Sequence, residues 1–479
     1  MSEWTQAGSA FKRPLGDSEY AFFPASQDAL GDMFLHLAFR APRDTLRRER
    51  VKIAWSLIRR RQPMLMCKVV TDGSDLKTAC FSLTPPPTPD AALKEADAAL
   101  SFRQDTKHEL ISKHMDGPRE LSNDFLSMLI ISTPSATGED ATGLVDFDLL
   151  MCAPHFIGDG TSLHQSTHEL LCIITSTKSD PELLEELSEA KDWKASLPPA
   201  FETRLSGPTS GIGKAAAKVN FLQTLGKEIG GHTFSRKQRG PKRTALIEHA
   251  FSKEQTAKIL AHCKINKVTV NHAFSAICNI AWGRITSQIK ELPMMMYTAA
   301  NLRPHLSPIN SSTYWFLALT YFNIVLPAFL PSSNAAFWHR ARLAKAQMVR
   351  TTNSPYLVSR ALQMAKTRGS RARGESQPPP PLEPESFARP APSAALIGLS
   401  LIGNLDRTYV RAAYPPSSSL ELYSVTTASR LKAGGMLLLE HTFGEKLWLH
   451  LCWDAMGFEE GQVESFWEEL KRAVEEYLC

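Results

Sequence analysis

The stretch Gly143–Ser176, GLVDFDLLMCAPHFIGDGTSLHQSTHELLCIITS, decides how the chain reads. Its first part alternates, with Val145, Phe147 and Leu149 apolar against Asp146 and Asp148. That is the period of a strand with one buried face. The run stays apolar to Pro154 and stops there. Gly158 and Gly160 then mark a tight loop, and glycine at 160 permits a turn that a Cβ would block. Beyond it, Leu163, Leu170, Leu171 and Ile174 share one helical face, with Thr161 or Ser162 as the expected N-cap. Strand, short glycine loop and helix make an α/β unit. His155 falls at the C-terminal end of the strand, where α/β sheets place their chemistry.

Upstream of this unit, residues 43–61 read as an amphipathic helix with a basic outer face, closed before Gln62-Pro63. MLMCKVV (64–70) and FLSMLIIST (125–133) read as strands, and residues 88–120 as surface helices. Residues 177–245 read as a long connection with some helix around Asp180–Lys191. Within it, SGPTSGIG (206–213) fails as a phosphate loop, because Lys214 is followed by Ala215 where Ser or Thr is needed. The basic run SRKQRGPKR (235–243) reads as a solvated linker, or as a contact for an anionic group of a coenzyme. A second lobe begins near Leu246, with a capping box at Ser252 and Gln255 and a buried helix from Val268.

The uncharged run TYWFLALTYFNIVLPAFL (313–330) has the length of a membrane span. Its Asn323, Pro327 and aromatic and β-branched residues favour a buried strand with its approach segment. Residues 367–394 are rich in Pro and Arg and read as an exposed, mobile loop. Three apolar strands follow, the last two joined at Gly444-Glu445, and residues 460–478 close the chain as a helix.

The 479 residues suggest two or three domains, and 43% hydrophobic with 22% charged residues is an ordinary globular composition. A net charge of +5 on 54 basic and 49 acidic residues gives no reason to expect a nucleic-acid or membrane partner. None of the eight cysteines forms a CxxC pair, so neither a structural zinc nor a redox motif is expected. They read as reduced, and with no apolar leader at the start the expected setting is cytoplasmic.

Chemistry concentrates in His155-Phe156-Ile157-Gly158-Asp159-Gly160. His155 alone in this loop titrates near neutral pH, so it can take a proton from an attacking hydroxyl, amine or thiol. Asp159 can hold the loop by pairing with an arginine. Among 14 histidines, one such pattern also reads as a core histidine beside an ordinary turn.

The motif, placed at a strand end about a third of the way along, resembles the HxxxDG signature of the CoA-dependent acyltransferase superfamily. That group includes the BAHD enzymes, fungal alcohol and trichothecene acetyltransferases, and condensation domains of nonribosomal peptide synthetases. AWSLIRRRQPML, Asn301-Leu302-Arg303-Pro304, the Ser400–Asn404 strand and the terminal hairpin and helix fall in matching order. The resemblance implies an α/β fold of two chloramphenicol-acetyltransferase-like lobes, each a mixed sheet with flanking helices, and an active-site tunnel between them. The lobes would be residues 1–190 and 246–479, joined by 191–245. It makes His155 the catalytic base and Asp159 and Gly160 structural, with Arg303 as the salt-bridge partner of Asp159. Ser424, Thr426 and Thr427 are its oxyanion candidates, and they read equally as polar residues on a strand edge. Asn323 and Tyr321 line the tunnel or else satisfy buried backbone.

Two departures narrow the kinship. Condensation domains carry HHxxxDG, and here Pro154 holds the first histidine's place; the DFGWG run of plant enzymes is missing, with GNLD at 403–406 in its position. The activity implied is transfer of an acyl group, acetyl first, from acyl-CoA to a hydroxyl of a hydrophobic secondary metabolite. No metal or bound cofactor is needed, acyl-CoA is a co-substrate, and the protein would act as a monomer. The alternative is a condensation-like enzyme that uses a carrier-protein thioester or catalyses cyclisation.

Overall fold

Residues 3–134, 143–286, 292–307, 312–329, 331, 333–375 and 394–479 are described in the computed structural model. The first lobe is built on β1 (Asp32–Pro42), β2 (Leu100–Arg103), β3 (Met128–Ser132) and β4 (Leu144–Pro154), in the spatial order β1-β4-β3-β2. β1 and β4 pair antiparallel end to end, Asp32 opposite Pro154 and Pro42 opposite Leu144. The period of two sorts the side chains of β4. Val145, Phe147, Leu149, Met151 and Ala153 join the main core of the lobe, while Leu150 and Cys152 join a smaller cluster on the other face. α1 (Arg48–Arg61) packs on the first face, α2 (Lys107–Asp116) on the second, and α3 (Gly160–Thr175) returns to the first. Only the end of the MLMCKVV run is a strand, Lys68–Asp72, because Pro63 opens a 3-10 turn over Pro63–Met66.

The connection between the lobes is more ordered than its composition suggests. Ser210 caps a helix, α4 (Gly211–Gly226), accepting from the Gly213 N–H at 3.0 Å. The glycines of SGPTSGIG therefore start a helix.

The second lobe holds β5 (Thr244–Ala250), α5 (Lys253–Ile265), α6 (Val270–Ile285), β6 (Met294–Asn301), β7 (Leu319–Leu326), α7 (Asn334–Thr352), α8 (Leu357–Ala372) and β8 (Ala395–Asn404). After β8 the chain leaves the lobe as β9 (Glu421–Ser429), then returns as the hairpin β10 (Met436–Phe443) and β11 (Lys446–Asp454) and ends in α9 (Gln462–Leu478). The sheet order is β7-β6-β8-β10-β11-β5. Gly444 and Glu445 have φ of 62° and 63°, the backbone of a type I′ hairpin turn. The uncharged run supplies β7, and no described helix is long and apolar enough to cross a membrane.

Residues 88–120, read as surface helices, also hold the strand β2, and two further boundaries differ from the sequence reading. β9 pairs antiparallel with β1, Thr426 opposite His36, so residues 421–429 belong to the first sheet although they lie within 246–479. The free edge of β1 requires a partner, and the strand that reaches it comes from far along the chain. Residues 367–372, assigned to a mobile loop, complete α8 instead. Ala361, Ala365 and Gly369 give the whole helix a buried stripe of small residues. The Pro-rich part, 376–393, lies outside the described residues.

Candidate active site at the lobe junction

His155 follows directly from β4. Its N–H donates to the Gly31 carbonyl at 3.0 Å, which ties the loop to the turn before β1. Gly31 sits at φ 80°, a conformation that glycine adopts freely. The imidazole Nδ1 lies 3.0 Å from the Gly158 carbonyl. A carbonyl only accepts, so Nδ1 carries the proton and Nε2 keeps its lone pair. Phe22 stacks on the ring at 4.8 Å and 15°. Burial lowers the His155 pKa below the ordinary histidine value; backbone hydrogen bonds and the charge of Asp159 oppose this, and Arg368 adds to it. The neutral base is the resting form.

Asp159 has a different task. It is the N-cap of α3, in place of Thr161 or Ser162, and its Oδ1 accepts from the N–H groups of Thr161 (3.1 Å) and Ser162 (3.3 Å). Its Oδ2 accepts from Arg303 Nη1 at 2.7 Å and from the Ala318 N–H at 3.3 Å. Both oxygens of this buried carboxylate are engaged, so it holds the loop. Arg303 comes from the turn after β6 in the other lobe. Its Nη2 donates to Ser162 Oγ (3.0 Å) and to the carbonyls of Tyr314 (3.1 Å) and Phe316 (3.0 Å). One guanidinium thus fastens the motif of the first lobe to the approach segment of β7.

The glycines divide otherwise than expected. A Cβ at Gly160 would meet nothing within 4 Å, and its φ is not left-handed. A Cβ at Gly158 would stand 2.6 Å from Trp315 Cε3. Trp315 cannot retreat easily, since it is buried and its Nε1 donates to Ser166 Oγ. Gly158→Ala is therefore expected to destabilise the protein by about 1–3 kcal/mol. Gly160→Ala, at the first position of a helix, should change stability by no more than about 1 kcal/mol, as paired thermal melts would show.

Tyr321 reaches this region from β7, but Asn323 hydrogen-bonds Glu228 instead. The Arg368 guanidinium lies 4.6 Å from the Tyr321 ring and 4.8 Å from that of Phe22. It therefore links the ring that stacks on His155 to the second lobe. Burial pushes the Tyr321 phenol up to about 12, with Arg368 opposing. Phe22, Gly31 and Arg368 were missed in the sequence. The helical spacing of 357–372 is a legible signal for Arg368, hidden by the arginine-rich, proline-rich composition that follows.

Ser424, Thr426 and Thr427 are not at His155. Thr427 is opposite Leu35, which is opposite Met151, four residues before His155. At ~3.3 Å per residue that is about 13 Å along the sheet, with β1 intervening. Thr426 Oγ1 donates to Glu248 at 3.0 Å, and Lys107 Nζ lies 3.4 Å from Ser424 Oγ and 2.6 Å from Glu248. These hydroxyls belong to a polar cluster between the lobes, while Thr427 Oγ1 is buried without a hydrogen-bond partner among the described residues. Nor does any group of three His, Cys, Asp or Glu side chains among the described residues form a metal site.

No family model matches the sequence, and no curated protein matches it. Solved structures do match. Trichothecene 15-O-acetyltransferase from Fusarium sporotrichioides superposes with a TM-score of 0.79 at 15% identity, over 100% of this chain and 98% of its own. The condensation domain of the monacolin K polyketide synthase gives 0.63 at 10% identity, over 99% and 98%. The first condensation domain of the CDA synthetase gives 0.60 at 14% identity, over 98% of each chain. The chain has the two-lobed mixed α/β fold of these acetyltransferase and condensation-domain structures.

Proposed function

We propose that this protein is an acyl-CoA-dependent O-acyltransferase that transfers an acetyl group to a hydroxyl of a hydrophobic small molecule. The observation that carries the reading is the His155 tautomer: the Gly158 carbonyl holds the Nδ1 proton, and Nε2 is left basic at the junction of the lobes. In the reaction, the acceptor O–H gives its proton to Nε2 as its oxygen attacks the thioester carbonyl. The tetrahedral intermediate collapses, the C–S bond breaks, and the imidazolium returns the proton to the departing CoA sulfur. No acyl-enzyme forms. Arg368 disfavours a charged imidazole and so keeps the base free. Donor and acceptor enter a tunnel between the lobes from opposite ends, and holding them in line supplies much of the acceleration. All eight cysteines are free, which supports a reducing, cytoplasmic setting.

The test is mass spectrometry of the purified protein with acetyl-CoA and longer acyl-CoAs, wild type beside His155→Ala. Slow hydrolysis or transfer by wild type alone is the expected result. If no acyl-CoA binds or turns over, the CoA reading fails, and a carrier-protein thioester becomes the donor to try.

A further inference from the structure

A second pocket, of about 160 Å³, lies in the first lobe between the C-terminal end of α1, the helix Pro89–Ala98 and the segment around Trp193. It shares no lining residue with the His155 site. Two side chains one helical turn apart on α1 line it, Ser56 and Arg59. They are only 2% and 7% exposed. Yet Ser56 Oγ and Arg59 Nε have no hydrogen-bond partner among the described residues. A buried donor without an acceptor costs free energy, and such groups normally face a bound water or ligand.

The rest of the lining points the same way. Arg60 and Lys191 join Arg59 on the walls. Their hydrogen bonds run to backbone carbonyls rather than carboxylates: Arg59 to Glu95 at 2.5 Å, Arg60 to Glu189, and Lys191 to Arg60. Glu95 and Glu189 also line the pocket, and their charges offset part of those of Arg59 and Arg60, but both are exposed residues. Burial, with the nearby charges of Arg60 and Arg61, brings the Lys191 amine down to about 8. Thr88 and Pro89, at the start of the ten-residue helix Pro89–Ala98, complete this wall, with the Thr88 hydroxyl accepting from the Ala91 N–H at 3.2 Å. Trp193 closes one side, with Lys191 Nζ 4.8 Å from its ring.

We propose that this pocket binds the phosphate group of a small ligand, held by Ser56, Arg59, Arg60 and Lys191. Phosphate is the fitting class, because it supplies several acceptor oxygens to a wall of donors and charge to three cations. Phosphorylated metabolites and the phosphates of CoA both present that group.

Calorimetric titration of the full chain with inorganic pyrophosphate tests the proposal. Arg60→Gln and Lys191→Gln are suitable variants, since both side chains are partly exposed and the fold should survive, as a thermal melt verifies. Wild type and His155→Ala should bind one equivalent alike, and each pocket variant should bind about tenfold or more weakly. Adding CoA separates the two sources: displacement assigns the pocket to the donor's own phosphates, and simultaneous binding assigns it to a second phosphorylated ligand. Either result supports the site. Failure of wild type to saturate by about 10 mM pyrophosphate, or equal affinity in folded variants, would overturn it.

Discussion

His155→Ala is expected to lower kcat/KM for acyl transfer by about 10²–10⁴-fold, the usual contribution of a positioned general base. KM for the acyl donor should change far less, because in the proposed reaction the imidazole acts on the acceptor proton. The fold should persist, since the ring contributes one hydrogen bond and one stacking contact. The pH profile of wild type carries a second signature. Burial depresses the His155 pKa below its ordinary 6.5, so the basic form persists through neutral pH. Activity should therefore hold on the alkaline side and fall only as the pH drops below 6.5 toward the depressed value. The same shift has a stability consequence. The unfolded chain takes up a proton near 6.5 and the folded one resists it, so this site's contribution to stability is lost as pH falls through that window. A rate limb that rose with acidity, or full activity in His155→Ala, would remove His155 from the role of base.

Arg303→Ala is the substitution with the largest expected cost to stability. The pair it breaks is buried, with side-chain exposures of 16% for Arg303 and 1% for Asp159. Removing the guanidinium leaves a carboxylate with only backbone N–H donors, and frees the carbonyls of Tyr314 and Phe316. Breaking a buried pair from one side costs about 3–5 kcal/mol. The lower end applies here, because water reaches part of the arginine. Arg303→Lys should recover little of the loss, since one ammonium cannot serve an oxygen of Asp159, a hydroxyl and two carbonyls in the same geometry. Asp159→Asn in the Arg303→Ala background should restore part of the stability by neutralising the stranded charge. Chemical denaturation of the single and double variants reads each term. A single variant that lost under about 1 kcal/mol would mean that the link between the lobes rests elsewhere. Activity should fall with stability in Arg303→Ala, because Asp159, in the loop that also carries His155, is held by the same network.

Short-range information was largely legible. The alternation in Val145–Leu149, the hairpin at Gly444-Glu445, the capping box at Ser252 and Gln255 and the uncharged β7 run each depend on neighbours within a few residues. Backbone propensity and burial period act at that range, so composition and spacing sufficed. His155 was found from its place after a strand and from a motif, and Arg303 by the resemblance that motif carries.

What the sequence alone determined is thus the strand–loop–helix unit around His155, the two α/β halves and the place of several elements, though not their ends. Tertiary structure decided the rest, because pairing and packing join residues far apart along the chain. It sent β9 to the open edge of β1 and so carried Ser424, Thr426 and Thr427 away from His155. It made Gly158, and not Gly160, the glycine without room, because Trp315 arrives from the other lobe. It stacked Phe22 on the His155 ring and set Arg368 over Phe22. None of these follows from local period, since each depends on which distant surface finally covers which edge.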